Sequence, residues 1–274
     1  MRRQRSLQQR LDSLSTLRDA VDAMRSLAAH HFRAARRTLA DSQEYRRSIS
    51  SMWDEISMES TPISDAPPGI LVVASDLGLC GDYNLRVAEH AMEELRRFSE
   101  CHLYVTGRKV LAELEKREVR ASRAYDAPAS LAGINDVLLG IVHDVFEDYA
   151  SARIHGLFVV SAKFAGVGTC RPEMIQILPV PASPSTTVDH RSPYVDAEHL
   201  TFVAIREFLY ISLYESLLEA LAVEHSMRLV AAEAALEWLE STVNETSRQL
   251  LNVRAENATQ ELLDIVTGRL QRRT

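Results

Sequence analysis

Glycine and proline, the residues that interrupt helices, are confined to the middle of this chain. Residues 1–61 contain neither; the first proline is Pro62 and the first glycine Gly69. Residues 201–267 contain neither as well, and only Gly268 follows. All nine prolines and the other nine glycines lie between Pro62 and Pro193. The 274 residues therefore divide into an N-terminal helix over 1–60, a mixed domain over 66–195 and a C-terminal helix over 200–274.

Both arms carry the helical period. In the first, Leu7, Leu11, Leu14, Leu17, Val21, Met24, Ala28, Phe32, Ala35 and Leu39 recur at a mean step near 3.6 residues, one stripe on a helix. In the second the stripe runs Phe202, Ile205, Leu209, Leu213, Leu217, Leu221, Met227, Ala231, Ala235, Trp238 and Thr242, and resumes at Leu262, Ile265 and Val266. A 67-residue helix is about 100 Å long at about 1.5 Å per residue and cannot hide inside a globule of this size. It needs a partner, and the other arm is the obvious one. Residues 1–50 hold 11 Arg against 5 acids, whereas residues 200–274 hold 7 Arg against 11 acids, so Coulomb attraction favours the pair. Small residues (Ala28, Ala35, Ala231, Ala235) let the two helices approach closely, and Trp238 and Met24 are expected to pack in the seam.

The middle alternates. Ile70–Ala74 and Gly156–Ser161 read as buried strands, His102–Thr106 as a third, and Met174–Val180 as an edge strand before the connection PVPASPS. Leu85–Phe98, Lys109–Arg117 and Ile134–Tyr149 have helical period. Strand and helix in turn give a βαβ layout with a largely parallel sheet. The expected fold is thus α/β: a long antiparallel two-helix coiled coil from the arms, with an inserted Rossmann-like domain.

Several function classes fall away. No stretch reaches the roughly 18 uninterrupted apolar residues of a membrane span. The basic start MRRQRSLQQRLDSL lacks the apolar core of a signal peptide. Cys80, Cys101 and Cys170 show neither paired metal spacing nor a disulfide framework, which suits a reducing compartment without thiol switching. The basic residues Arg2, Arg3, Arg5, Arg10, Arg33, Arg36 and Arg37 are interleaved with acids on a chain of net charge −7, so an acidic protein partner fits better than nucleic acid. His30, His31 and His225 are not at metal-ligand spacing and read as surface or seam residues, and Cys80 as a packing residue.

After the first strand comes Ser75-Asp76-Leu77-Gly78-Leu79-Cys80-Gly81-Asp82-Tyr83-Asn84. Glycines at a strand-to-helix turn are weak evidence of phosphate binding, because they also permit tight turning and close packing. No G-x-x-x-x-G-K-[ST] occurs, and the three lysines (Lys109, Lys116, Lys163) offer no phosphate lysine. As a word, however, SDLGLCGDYN closely resembles the SDRGLCGGFN signature of gamma subunits of F-type ATP synthases, carried here by Ser75, Asp76, Gly78, Leu79, Cys80, Gly81 and Asn84. Ala23–Ala29 with Phe32–Ala35 resembles that family's AM.MVAAAKLRRA stretch. Arg254, Thr259, Gln260, Glu261, Leu262, Ile265, Val266 and Gly268 fall where it has RQA.ITQEL.EIV.G, and Glu224, His225 and Arg228 match its EH..RM.

The resemblance implies a non-catalytic central-stalk rotor. Its coiled coil would thread the ring of alpha and beta subunits, and its α/β domain would stand on the membrane c-ring beside the epsilon subunit. The complex would lie peripherally at the cytoplasmic face of a bacterial plasma membrane, coupling ion flow to ATP chemistry. No cofactor, metal, catalytic residue, nucleic acid or membrane insertion is implied. Met24, Arg25, Arg33, Arg36, Arg254, Thr259, Gln260 and Glu261 would face the catalytic ring. Departures are Asp19 in place of a family lysine, the further acid Asp22, Asp82 for a glycine and Ala255 for a glutamine. They resemble the divergent gamma subunits of alternative N-type ATPases, often sodium-coupled. Two other readings of the residues stand beside this one: a flavodoxin-like or Rossmann-like enzyme using Asp76 and the glycine loop on a small phosphate ligand, and a coiled-coil adaptor.

Overall fold

A computed structural model describes residues 2–56, 65–180 and 197–271. Most of the PVPASPS connection lies outside these residues, as does the end of each predicted arm at 57–60 and 272–274. The elements are α1 (Arg2–Ile56), β1 (Gly69–Val73), α2 (Tyr83–Leu95), β2 (His102–Thr106), α3 (Arg108–Glu115), β3 (Arg123–Tyr125), α4 (Leu131–Ala150), β4 (Leu157–Gly166), β5 (Thr169–Leu178) and α5 (Ala197–Gln271). They form two units, residues 28–230 and residues 1–27 with 231–274.

In the first unit the five strands form one sheet in the order β3-β2-β1-β4-β5. β1 pairs parallel with both β2 and β4, Leu71 lying beside Tyr104 and Val159, and only β5 runs antiparallel. All five residues of β1 are buried, as a central strand covered on both faces requires. Strand alternation then sorts the core into two layers. Ile70 and Val72 face α2 and α3, packing with Val87, Ala91, Val110 and Leu114. Leu71 and Val73 face the other way, toward Ile134, Leu138, Ile141 and Val145 of α4. That second layer is completed by Ala35 and Leu39 of α1 and by Leu209, Leu213, Leu217, Leu218 and Leu221 of α5. Further along, Val223 and Met227 of α5 join the opposite cluster. The helix therefore contributes to the core on both faces of the sheet.

Three strands differ from the sequence reading, β4 by running on past Ser161 to Gly166. β3 has only three residues, Arg-Ala-Tyr, too short and too polar to register as an apolar run. β5 lies at the predicted edge but begins at Thr169, because Gly166 and Gly168 adopt positive φ and turn the chain straight back from β4. Pro172 hid this start; an edge strand tolerates it because one side of its ladder has no partner strand.

In the second unit Val21 packs with Ala232 and Leu239, flanked by Leu14, Ala235 and Leu236. Arg254 donates from Nη2 to Oε1 of Gln8 at 2.9 Å, and Asn257 from Nδ2 to Oε1 of Gln4 at 3.1 Å. The expected seam position of Trp238 is corrected here: its side chain is 61% exposed, whereas Leu239 is 2% exposed. The buried stripe runs Ala232, Leu239, Thr246, Leu250 and Val253. One residue is about 100° of helix, so a register one position off turns Trp238 outward. Leu17, Leu262 and Ile265, also read as stripe residues, are exposed.

Gly107 closes the turn from β2 into α3 at φ 110°, and a Cβ there would stand 2.8 Å from the backbone of Ala74. Gly107→Ala is expected to destabilise the full-length chain by more than about 2 kcal/mol, read as a lowered urea midpoint.

Candidate functional site: the signature turn and its helix

Ser75–Asn84 carries the chain from the C-terminal end of β1 into α2. The backbone N–H of Ser75 donates to Asn84 Oδ1 at 3.1 Å, and its hydroxyl to the Leu77 carbonyl at 2.9 Å. Asn84 Nδ2 in turn donates to Cys80 Sγ at 3.2 Å. The word is thus a knot of short-range hydrogen bonds, with Ser75 and Asn84 as its two ends. Leu79 and Gly81 hold left-handed φ of 58° and 59°, which costs a leucine energy that its 57% exposed side chain does not recover by burial. Cys80 is 2% exposed and burial pushes its thiol up, so it packs rather than reacts.

The second motif closes over this turn. Glu224 and Arg228, one helical turn apart on α5, form a buried ion pair at 2.5 Å. Two further donors of Arg228 are also used. Its Nε reaches the Gly78 carbonyl at 3.4 Å, and its Nη1 lies 3.3 Å from Nδ1 of His225. Met227 lies against Gly81, and the Ser226 hydroxyl accepts the Gly168 N–H at 2.9 Å. Gly78 and Gly168 follow the C-terminal ends of β1 and β4 respectively. Burial raises the Glu224 pKa against the pull of Arg228, and it lowers that of His225 to about 3, aided by Arg228 and by His31. His31 of α1 stacks on His225 with ring centroids 4.8 Å apart. The sequence reads His31 and His225 as surface or seam residues, and the fold joins them face to face between α1 and α5.

This arrangement bears on ligand binding. A doubly wound sheet binds ligands where the strand order reverses, outside the carboxyl ends of the strands. Here that point lies between β1 and β4, and residues 226–230 of α5 already sit on the turns leaving both. Asp76, the acid a phosphate-site reading would use, is committed elsewhere. Its Oδ1 accepts the N–H groups of Arg108 at 2.8 Å and Ala127 at 3.1 Å, capping the start of α3 and tying down the loop after β3. The geometry is that of a clamp between turn and helix.

The residues expected to face a ring divide between the units. Arg33 and Arg36 belong to the first, and the Arg36 guanidinium lies 4.7 Å over the ring of Phe164. Met24, Arg25, Arg254, Thr259, Gln260 and Glu261 belong to the second. Arg25 pairs with Asp22 at 2.7 Å, and the Thr259 hydroxyl donates to the Ala255 carbonyl. Asp19 and Asp22, the acid departures, line a surface groove of about 560 Å³ with Arg18, Arg25, Glu233, Glu237 and Glu240. Elsewhere, His143, Asp144 and Glu147 bring ligand atoms within 4.8 Å of one another, but Asp144 already holds Arg123 at 2.5 Å and Tyr125 at 2.7 Å. Sequence reasoning recognised both halves of the clamp but not their meeting. The available signal was an acid and an arginine at i,i+4 on an otherwise apolar stretch of helix, which demands burial as a pair.

A family model described as ATP synthase matches residues 3–269 of this chain. Similar folds occur in solved structures of mitochondrial ATP synthases. A chain from the Tetrahymena thermophila central stalk and c-ring is 17% identical, with a TM-score of 0.63 over 79% of this chain and 99% of its own. A chain from the Euglena gracilis rotor in rotational state 1 is 13% identical, TM-score 0.62, over 93% and 98%. Another, from the Euglena gracilis OSCP/F1/c-ring in rotational state 3, is 12% identical, TM-score 0.65, over 96% and 92%.

Removing one member of a buried ion pair strands the other. Arg228→Met is therefore expected to cost the full-length chain about 3–5 kcal/mol, while Glu224→Leu with Arg228→Met costs less than the single change. Urea unfolding followed by circular dichroism measures both; equal or larger loss in the double variant would contradict a mutual pair.

Proposed function

We infer how this chain works from its membership: it belongs to the gamma family of F-type ATP synthases and is the central-stalk subunit of a rotary ATP synthase. The observation that carries the reading is the family match over residues 3–269, joined to the meeting of the SDLGLCGDYN and EH..R words in one clamp. Among the described residues no helix is long and apolar enough to cross a membrane, as befits a peripheral part of a membrane complex.

In the proposed mechanism the arms, residues 1–60 and 200–274, pair as an antiparallel coiled coil, with the 66–195 domain inserted between them in the chain. The contacts Gln4–Asn257, Gln8–Arg254 and Val21–Leu239 pair low numbers with high, which supports that direction. The coiled coil turns inside a ring of alpha and beta subunits. Contact with an asymmetric shaft favours a different conformation in each catalytic subunit, so rotation shifts populations as a differential ligand would. The chain itself carries no catalytic residue and binds no cofactor; chemistry resides in the ring. The α/β domain bears on the c-ring and the epsilon subunit, at the cytoplasmic face of a bacterial plasma membrane. Torque received by the domain reaches the helices through the clamp, whose ion pair and backbone bonds resist shear better than apolar packing alone.

Met24, Arg25, Arg33, Arg36, Arg254, Thr259, Gln260 and Glu261 are proposed to contact the ring. Arg25 and Arg254 are already steadied within the chain, the first by Asp22 and the second by Gln8. Such contacts lower the entropy lost when those side chains meet a partner.

Co-expression with its alpha and beta subunits is expected to give a complex with one copy of this chain per six-membered ring. Deleting residues 255–274 should lower ATPase turnover, and reversing the charge of Arg33 and Arg36 together should weaken assembly or coupling. A chain that runs alone as a defined oligomer and leaves the ring's activity untouched would instead support an adaptor.

A further inference from the structure

We propose that the stack of His31 on His225, joined through Arg228 to the Gly78 carbonyl, is an acid-released latch that frees the signature turn from α5 when the histidines take up protons.

The argument begins with hydrogen-bond polarity. Arg228 has donors and no acceptor, so its Nη1 at 3.3 Å requires Nδ1 of His225 to be an unprotonated acceptor. A proton on Nδ1 would set N–H against N–H and place two cations in contact. Arg228 cannot simply step aside, because its Nη2 is bound to Glu224 and its Nε to Gly78. Moving it strips the clamp of its charge-assisted bond and of its hold on the turn. His31 adds to this: a parallel-stacked neighbour at 4.8 Å and an interplanar angle of 26° is tolerable between neutral rings and repulsive between imidazolium ions.

Charged and titratable groups face the stack from four elements. From α1 come His30 and His31, from α5 Glu224 and Arg228, from the turn Asp76 and Cys80, and from α2 the buried Tyr83. The Ala129 backbone favours the charged form of His225, but burial, Arg228 and His31 outweigh it. His31 is lowered in the same direction by burial, His30 and Arg228. The sign follows. A histidine whose folded pKa is depressed gives stability that is complete above its unfolded value near 6.5 and is lost as pH falls below it. With His225 lowered to about 3, the opened turn gains about tenfold in relative population between pH 7.5 and 5.5.

Cys80 reports the opening, since it lies buried in the turn. Its labelling by a pyridyl disulfide, located by peptide mass spectrometry, is compared with labelling of the denatured chain at the same pH. This ratio removes the thiol's own ionisation. In the full-length chain Cys80 protection is expected to fall about tenfold from pH 7.5 to 5.5. In His225→Gln, whose amide oxygen still accepts from Arg228 but does not titrate, most of that loss should vanish. In His31→Gln the loss should shrink. A flat profile in the unaltered chain overturns the latch, as does an undiminished loss in either variant, which would place the titration on Glu224 or elsewhere. The latch rests on the rotor reading only for its consequence, loss of torque transfer in acid. Protection is read without turnover, so failure to assemble with a ring would sink the rotor and leave this measurement standing.

Discussion

The buried pair Glu224–Arg228 is the interaction on which the rest of the first unit depends. An ion pair out of water is a poor stabiliser by itself, since desolvating two charges offsets most of their attraction. Its worth here is geometric. One guanidinium holds a carboxylate and a ring nitrogen of its own helix, Glu224 and His225, together with the carbonyl of Gly78, so α5 and the signature turn are placed by one rigid fork. A leucine in place of Arg228 could fill the volume but not specify that register. The long helix α5 otherwise offers leucines repeated at similar spacing, and leucines can slide past one another by a turn. The pair forbids that slip.

The same pair bears on the place where a Rossmann-like sheet usually meets a ligand. Parallel strands with both faces covered leave one accessible feature, the crevice at their carboxyl ends, and α5 crosses it. Asp76, which elsewhere would meet a ligand, satisfies backbone donors of Arg108 and Ala127. The fold's usual binding edge has become its point of attachment. A glycine-containing turn after the first strand is read equally well as a phosphate cradle or as a bearing surface for a helix, and the sequence word alone does not decide between them. Arg228, 150 positions from Gly78, bears on the choice by reaching the turn from α5.

Much of the architecture was legible because the breakers are segregated: a stretch without glycine or proline that keeps a 3.6-residue stripe has few alternatives to helix. β1, β2 and β4 announced themselves as short apolar runs. β3 did not, because a three-residue edge strand is held by its neighbour's ladder rather than by its own apolar content. The stripe of α5 failed locally at Trp238 because its residues 205–222 are buried on several sides, so hydrophobicity there does not mark a single face. Carrying that ambiguous phase forward turned the seam by one residue. At the clamp, the sequence displayed both words and hid their contact, since nothing in the spacing of residues 78 and 228 encodes a hydrogen bond across the fold.

The departures from the family pattern fall unevenly, and the structure gives a physical reason. Asp19 and Asp22 are exposed, paired with flanking arginines at no cost in burial, and line an open groove. Changes there alter only what a partner feels, so a partner that changes with them leaves folding untouched. Glu224, His225 and Arg228 are each less than a tenth exposed, and Arg228 bonds to both of the others. Altering any one leaves a buried charge or an orphaned donor, a penalty of several times RT that no change outside the chain can offset. Asp82 shows the rule from inside the turn itself. Its side chain is exposed and its φ of −90° suits any residue, so an acid can stand where the family has glycine. Gly81 beside it, at φ 59° against Met227, cannot be exchanged so cheaply. Within the turn and its helix, what matches the family word is what must be satisfied internally, while the departures Asp19, Asp22 and Asp82 fall on exposed side chains.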